Sequence, residues 1–300
     1  MLKIAYHSIY KHPLPEGHRF PMEKYELLPQ QLLHEGSCTP ENFFKPKIPA
    51  EAVILAVHTQ EYFTDLLNLT LDKRAARKIG FPISKSLIER ELRIAQGTID
   101  GSEYALQYGI AMNIAGGTHH AYTGHGEGFC LLNDQAIAAR YLQNNGYAKK
   151  ILIVDLDVHQ GNGTAQIFQN DDSVFTFSMH GAGNYPFKKE KSDLDIAIPD
   201  GSGDAIYLQK LKETLPKLID NQKPDFIFYL SGVDILATDK LGRLNCTVAG
   251  SKARDRFVLE FCKDLQIPVQ VSMGGGYSSE IKTIIDAHAN TFRLAQEIFF

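Results

Sequence analysis

ILIVDLDVHQGNGTAQIF, residues 151–168, opens on an apolar run from Ile151 to Val154 and then alternates, with Leu156 and Val158 set between Asp155, Asp157 and His159. Side chains along a strand alternate faces with a period of two. A strand over 151–158 therefore sends two carboxylates and an imidazole to one side at the end of a buried element. Burying charge without a partner costs on the order of several kcal/mol, so something must occupy the space they face. A short helix around 163–170 follows.

The rest of the chain repeats this strand-then-helix grammar. Apolar runs predict strands at 2–8, 108–117, 174–180, 193–199, 225–232 and 268–276. Between them lie segments of helical period at 133–146, 205–222, 251–266 and 278–298, with Gly146 as a stop signal and Pro216 as an expected kink or break. Before residue 100 the pattern is less regular. A Pro- and Gly-punctuated loop at 12–25 runs into a helix, and Thr59 is placed to cap another through Leu67. Continuous apolar strands interleaved with helices define an α/β fold, an open, mainly parallel sheet with helices on both faces. No repeat, low-complexity stretch or linker divides the chain, which reads as one domain over 1–300.

Composition narrows the function. The 300 residues carry 31 basic and 35 acidic side chains, a net charge of −4 with no long run of either sign, which argues against direct nucleic-acid binding. No apolar run approaches the ~20 residues that span a bilayer. The N-terminal MLKIAYHSIY lacks the basic and apolar regions of a signal peptide. Cys38, Cys130, Cys246 and Cys262 show no C-x-x-C spacing, as expected of reduced thiols in a cytoplasmic protein.

Polar residues with catalytic chemistry fall where the strands end: His119 and His120 in GGTHH, Asp155 to His159, Asp234 in SGVD, and Tyr277 in GGGY. Alone, each has an ordinary role as cap, turn former or hydrogen-bonded core residue. Together they sit at the carboxyl edge of a parallel sheet, where ligand sites gather. A divalent metal accounts for all of them. Asp157, His159 and Asp234 supply three protein ligands and leave a position open, the catalytic rather than structural arrangement. His119 and His120 can move protons, and the Tyr277 hydroxyl can stabilise an oxyanion. The sum is a metal-assisted hydrolase of an amide or ester.

These motifs, GGTHHA, GFCLLND, DLDVHQGNGT, IPDGSGD, GVD and GGGYS in that order, resemble the zinc-dependent histone deacetylase family, which has the arginase/deacetylase fold. DLDVHQGNG with GFPISKSLIERELR upstream is most similar to the class IV, histone deacetylase 11-like branch and its bacterial members. The resemblance implies one catalytic Zn²⁺ on Asp157, His159 and Asp234, with His119 and His120 beside the reacting water. His120 would be general base and then acid, and Tyr277 would hold the tetrahedral intermediate. It assigns Gly128, Phe129 and Gly275 to a narrow substrate tunnel and puts Arg19 where a channel arginine is expected. It further implies a structural K⁺ bound by Asp155, Ser178 and backbone oxygens of Asp157, His159 and Met179. The implied substrate is an acylated lysine of a peptide or protein, acetyl or long-chain fatty acyl, or a related acylated amine such as an acetylpolyamine. Oligomeric state and physiological substrate are not specified.

Two departures bear on this. Asn162 replaces the aspartate that class I enzymes place behind the second histidine, so the His120 pKa is expected to be lower than with a carboxylate partner. No counterpart of the class I rim aspartate is found; KIGFPISKSLIER occupies that region. An arginase-like dinuclear manganese site would need D-x-H-x-D, and Gly161 stands at its last position. A catalytically silent acyl-lysine-binding scaffold would have no use for the complete set of ligands, histidine pair and tyrosine.

Overall fold

Eight short strands, rich in apolar residues, form one parallel sheet in a computed structural model that describes residues 1–300. In chain order the elements are β1 (Lys3–Ala5), α1 (Lys24–His34), β2 (Phe43–Phe44), α2 (Glu51–Leu55), α3 (Gln60–Asn68), α4 (Lys73–Ile79), α5 (Lys85–Tyr108) and β3 (Ile110–Asn113). There follow α6 (Asp134–Asn144), β4 (Ile151–Asp155), α7 (Asn162–Phe168), β5 (Val174–Gly181), β6 (Leu194–Ile198), α8 (Asp204–Gln222), β7 (Phe226–Leu230), α9 (Val248–Asp264), β8 (Val269–Ser272) and α10 (Ile281–Phe299).

The sheet order is β2-β1-β3-β8-β7-β4-β5-β6, and every neighbouring pair is parallel. β3, β4, β7 and β8 are buried at every residue, which is why β3, β4 and β7 read as nearly continuous hydrophobic runs, while β8 alternates Val269 and Val271 with the buried Gln270 and Ser272. Each fully buried Leu, Ile or Phe contributes about 1.5–3 kcal/mol, and one contiguous core joins both faces of the sheet.

The α/β architecture expected from the sequence is the one observed, with three local corrections. First, α5 had no sequence assignment. Ser84 caps it by accepting from the Leu87 amide at 3.2 Å, Gly109 at φ 85° ends it, and Leu87, Leu92, Ile94 and Ile99 lie buried along it. Because α5 extends through Tyr108, the strand placed at 108–117 shrinks to β3. Second, α8 runs unbroken through Pro216. Proline removes one intrahelical bond, but Leu211, Leu215, Leu218 and Ile219 are buried around it and hold the helix. Third, β4 stops at Asp155 rather than 158, for a reason that belongs to the site. Smaller expectations hold: Thr59 accepts from the Tyr62 amide at the start of α3, and Gly146 at φ 71° follows α6.

Candidate active site

After Asp155 the backbone leaves the ladder because carboxylates take over its amides. Asp155 Oδ1 accepts from the Asp157 amide at 3.1 Å, and Asp157 Oδ1 accepts from that of His159 at 3.0 Å. Asp234, from the loop after β7, accepts from the Val158 amide at 2.9 Å. The alternation that resembles strand thus belongs to a turn built around side-chain acceptors, and it still gathers the same residues.

Asp157, His159 and Asp234 are all buried, and their ligand atoms lie within 4.8 Å of one another. His159 Nδ1 is 3.0 Å from Asp157 Oδ1 and 3.1 Å from Asp234 Oδ2. Burial, then the charge of Asp157, pushes the Asp234 carboxyl up to about 7. Burial works to lower His159, but hydrogen bonds to both carboxylates outweigh it and lift the imidazole to about 10. Two carboxylates sharing one imidazole out of water is a donor set that calls for a cation, and nitrogen and oxygen donors suit zinc. The Gly275 amide donates to Asp157 Oδ2 at 2.9 Å, and a Cβ at 275 would collide with the Asp157 and Asp234 carboxylates.

Behind the cluster, Arg254 of α9 is fully buried and holds the segments that carry it. Its guanidinium donates to the carbonyls of Leu156 at 3.2 Å, Ser231 at 3.1 Å and Gly232 at 2.6 Å. Its charge is met by Asp255 at 2.8 Å.

The histidine pair hangs on Asp134 of the GFCLLND stretch. Asp134 Oδ1 accepts from the Thr118 amide at 2.9 Å and hydroxyl at 2.8 Å, and Oδ2 accepts from Thr98 at 2.6 Å. The rings of His119 and His120 stand 4.1 Å apart between centroids but have different partners. His119 Nδ1 meets Asp155 Oδ2 at 2.7 Å, and His120 Nδ1 meets Asn162 Oδ1 at 2.6 Å. Burial lowers both pKa values. For His119, Asp155 overturns that and raises the net value. His120 is held well below the usual histidine range by burial and then by the charges of His119 and His159. Environments that drive neighbouring groups apart favour different proton states: the charged form for His119 and the neutral form for His120.

The approach to these groups is aromatic. Phe129 packs at 5.1 Å from both Phe20 and Phe81 and at 6.2 Å from Tyr277. Gly128 (φ 57°) and Phe129 (φ 69°) are both left-handed. Their amides donate to Lys78 and Ile79 carbonyls at 3.0 and 2.7 Å, and a Cβ on Gly128 would strike the His120 ring. Tyr277 is aimed by Asp239, whose Oδ2 accepts from its amide at 2.6 Å.

Arg19 is exposed and lines the outer part of the cavity that reaches His120, His159 and Tyr277. It lies over the Phe129 ring at 5.1 Å and lines the mouth, a cavity of about 390 Å³, with Lys78, Phe187 and Arg243. Two buried cations lie further in: Arg90, which lines the inner channel over the Tyr25 ring at 4.8 Å, and Lys24 of α1, fully buried, with Nζ 5.1, 5.4 and 5.5 Å from the rings of Phe20, Tyr25 and Tyr277 and donating to Gly274 O at 3.2 Å. Burial, partly offset by Asp234 and Asp157, brings the Lys24 pKa down to about 8. Lys24, Asp239, Arg254 and Glu127 escaped the sequence reading. Only Lys24 left a signal, falling on the buried stripe of Leu28 and Leu32.

A parallel α/β sheet that presents a two-Asp, one-His ligand set, a split histidine pair and a channel tyrosine at its carboxyl edge defines a hydrolase site. Comparison with known proteins agrees: residues 18–292 match the histone deacetylase domain, and the chain belongs to that family of deacetylase hydrolases. An uncharacterized protein of Picosynechococcus sp. is 46% identical over 99% of both chains. Histone deacetylase 2 of Arabidopsis thaliana is 28% identical over 92% of this chain and 74% of its own. The acetoin utilization protein AcuC of Staphylococcus aureus is 29% identical, covering 88% and 73%. Among solved structures, an HDAC homolog complexed with SAHA superposes with TM-score 0.85 at 23% identity, covering 99% of this chain and 84% of that one. The HDA15 HD domain gives 0.80 at 21%, covering 98% and 90%. At those identities the two structures support the fold.

Proposed function

We propose that the protein is a zinc-dependent deacylase that hydrolyses acyl-lysine side chains. The observation that carries this reading is the buried Asp157–His159–Asp234 set at the floor of an aromatic-walled channel, beside a neutral His120. Zinc held there supplies an electrophile that polarises the amide carbonyl and acidifies water. His120 takes the proton of the attacking water and returns it to the leaving amine. His119, charged through its pair with Asp155, stabilises developing negative charge on the side facing Asp157. The Tyr277 hydroxyl donates to the carbonyl oxygen. Gly128, Phe129 and Gly275 line the acyl path and exclude water from it.

The rim favours a peptide over an acylated polyamine. Arg19, Lys78 and Arg243 surround the mouth, and only Arg243 has an exposed carboxylate partner, Asp200 at 3.3 Å. Such a rim repels a polyammonium chain and suits an acidic flank. Phe187, 86% exposed there, offers apolar surface to a longer acyl chain. We place the chain in the class IV, histone deacetylase 11-like branch on DLDVHQGNG and Asn162. The register that sets Asp155 beside Ser178 supports a structural K⁺, completed by backbone oxygens of Asp157, His159 and Met179. Four free, buried cysteines agree with a cytoplasmic setting.

The test is a panel of acetyl-, octanoyl- and myristoyl-lysine peptides beside acetylpolyamines, read as kcat/KM, with elemental analysis of the protein. One zinc per chain and a preference for lysine peptides are expected, with Asp157→Ala losing both metal and turnover. Two manganese ions per chain, or turnover confined to polyamines, would overturn the reading.

A further inference from the structure

Asn162 is a neutral partner for His120, but it is not the end of the chain of hydrogen bonds. Its Nδ2 donates to Glu127 Oε1 at 2.6 Å and to the Tyr122 hydroxyl oxygen at 2.9 Å. Tyr122 in turn donates to Glu190 Oε1 at 3.3 Å, which frees its oxygen to accept. Glu127 is buried with a side chain only 10% exposed; its nearest cation, Lys78, approaches loosely at 3.7 Å, and the His125 ring, its pKa lowered by burial, stands at 3.9 Å.

We propose that Glu127 is a positioning residue that fixes the direction of the hydrogen-bond chain through Asn162, and thereby the tautomer of His120. The proposal rests on His120 acting as the base. An ionised carboxylate only accepts, whereas an amide has one accepting and one donating end. With Nδ2 committed to Glu127, Oδ1 is the atom that meets His120 Nδ1 at 2.6 Å. An oxygen can be satisfied there only by an N–H, so Nδ1 carries the ring proton. In a neutral imidazole the other nitrogen, Nε2, then holds the lone pair, on the side of the channel that His120 lines with His159 and Tyr277. The flipped amide would set its oxygen against the Glu127 carboxylate and its NH₂ against His120, a repulsive contact at one end and the unproductive tautomer at the other. Glu127 excludes that state. The negative charge that is missing beside His120 is thus present one amide further out, where it orients the base without pairing with it.

A reciprocal exchange tests this in the full-length zinc-loaded protein. Asn162→Asp places two carboxylates together with no donor between them. It is expected to lower kcat on an acetyl-lysine peptide by at least about tenfold, with KM within about twofold. Adding Glu127→Gln supplies an NH₂ that donates to the carboxylate introduced at position 162, whose other oxygen accepts from His120. The double variant is expected to regain at least about tenfold over Asn162→Asp alone. Additive or worse effects overturn the proposal. Melting temperature and zinc content accompany each variant. If the double variant does not fold, the ¹⁵N shifts of the His120 ring in the wild-type protein decide, with protonated Nδ1 and bare Nε2 expected and the opposite tautomer overturning. His120→Ala separates the two ideas. Near-full activity there removes the base itself, whereas an inactive His120→Ala with additive Glu127 and Asn162 effects removes only the role of Glu127.

Discussion

Two of the molecule's arginine–carboxylate pairs, one buried and one at an outer seam, show by contrast where polar groups matter. Behind the site, Arg254 is fully buried and serves Asp255 and three carbonyls, while Asp255 also accepts from Tyr229 at 2.5 Å and Thr291 at 2.7 Å. At the outer seam, Arg293 of α10 grips Glu35, just past α1, through two bonds of 2.8 and 2.5 Å. There the side chains are 31% and 20% exposed. The contacts are equally close. The inner pair fixes backbone that carries Asp157 and Asp234, whereas the outer pair joins two helices already held by apolar packing.

Breaking the inner pair should have the largest effect. Arg254→Leu leaves Asp255 buried without its cation and removes the donor to three carbonyls. It is expected to destabilise the fold by about 3–5 kcal/mol, the scale for removing one partner of a buried pair, measured by denaturant titration. The freed 156 and 231–232 segments should also lower zinc content in the fraction that remains folded. A change below about 1 kcal/mol with full zinc would erase the distinction between the two pairs.

Tyr277 sharpens the comparison from the other direction, because it is a polar group of the buried centre that does no structural work through its hydroxyl. Its backbone is fixed by Asp239, and burial, with the charges of Asp157 and Asp234, keeps the phenol protonated. Tyr277→Phe should leave melting temperature and zinc content unchanged while lowering kcat by about 10²–10³. Near-full activity in that variant would take Tyr277 out of the reaction.

The same contrast explains what the sequence could reveal. Asp155, Asp157, His159, Asp234, the histidine pair and Tyr277 were legible because each ends an apolar run, and parallel topology brings such ends together. The apolar centres of β3, β4 and β7 were legible for the same reason. The extent of β4 was not, since alternation cannot separate a strand from a turn whose amides are taken by Asp155, Asp157 and Asp234. In α5, Ser84, Leu87, Leu92 and Ile99 carry the cap and the stripe, but Gly97 and Gly101 interrupt the helical signal. Arg254, Lys24 and Glu127 depend on partners 22 to 250 residues away, and local pattern does not encode such partners. For Arg19 the loop position pointed to the channel but not to its depth there, because a loop position does not determine how deep a long side chain reaches.

The outer pair carries the smallest expected effect and a clear pH sign. The hydrogen bonds from Arg293 hold the Glu35 carboxyl down at about 2, from an ordinary 4.5. A carboxyl depressed in the folded state adds stability above its unfolded pKa and loses it as pH falls through the folded value. Because both side chains meet solvent, that contribution is discounted to about 0.2–1 kcal/mol. Glu35→Gln should therefore lower stability by no more than about 1 kcal/mol at pH 7, with activity unchanged. The gap to wild type should narrow as pH falls below about 4.5 and close near 2. Added salt should shrink it as well, because screening acts on exposed charges. If instead Glu35→Gln cost as much as Arg254→Leu, the seam between α1 and α10 would be holding Lys24 in place beneath Tyr277, and activity would fall with stability.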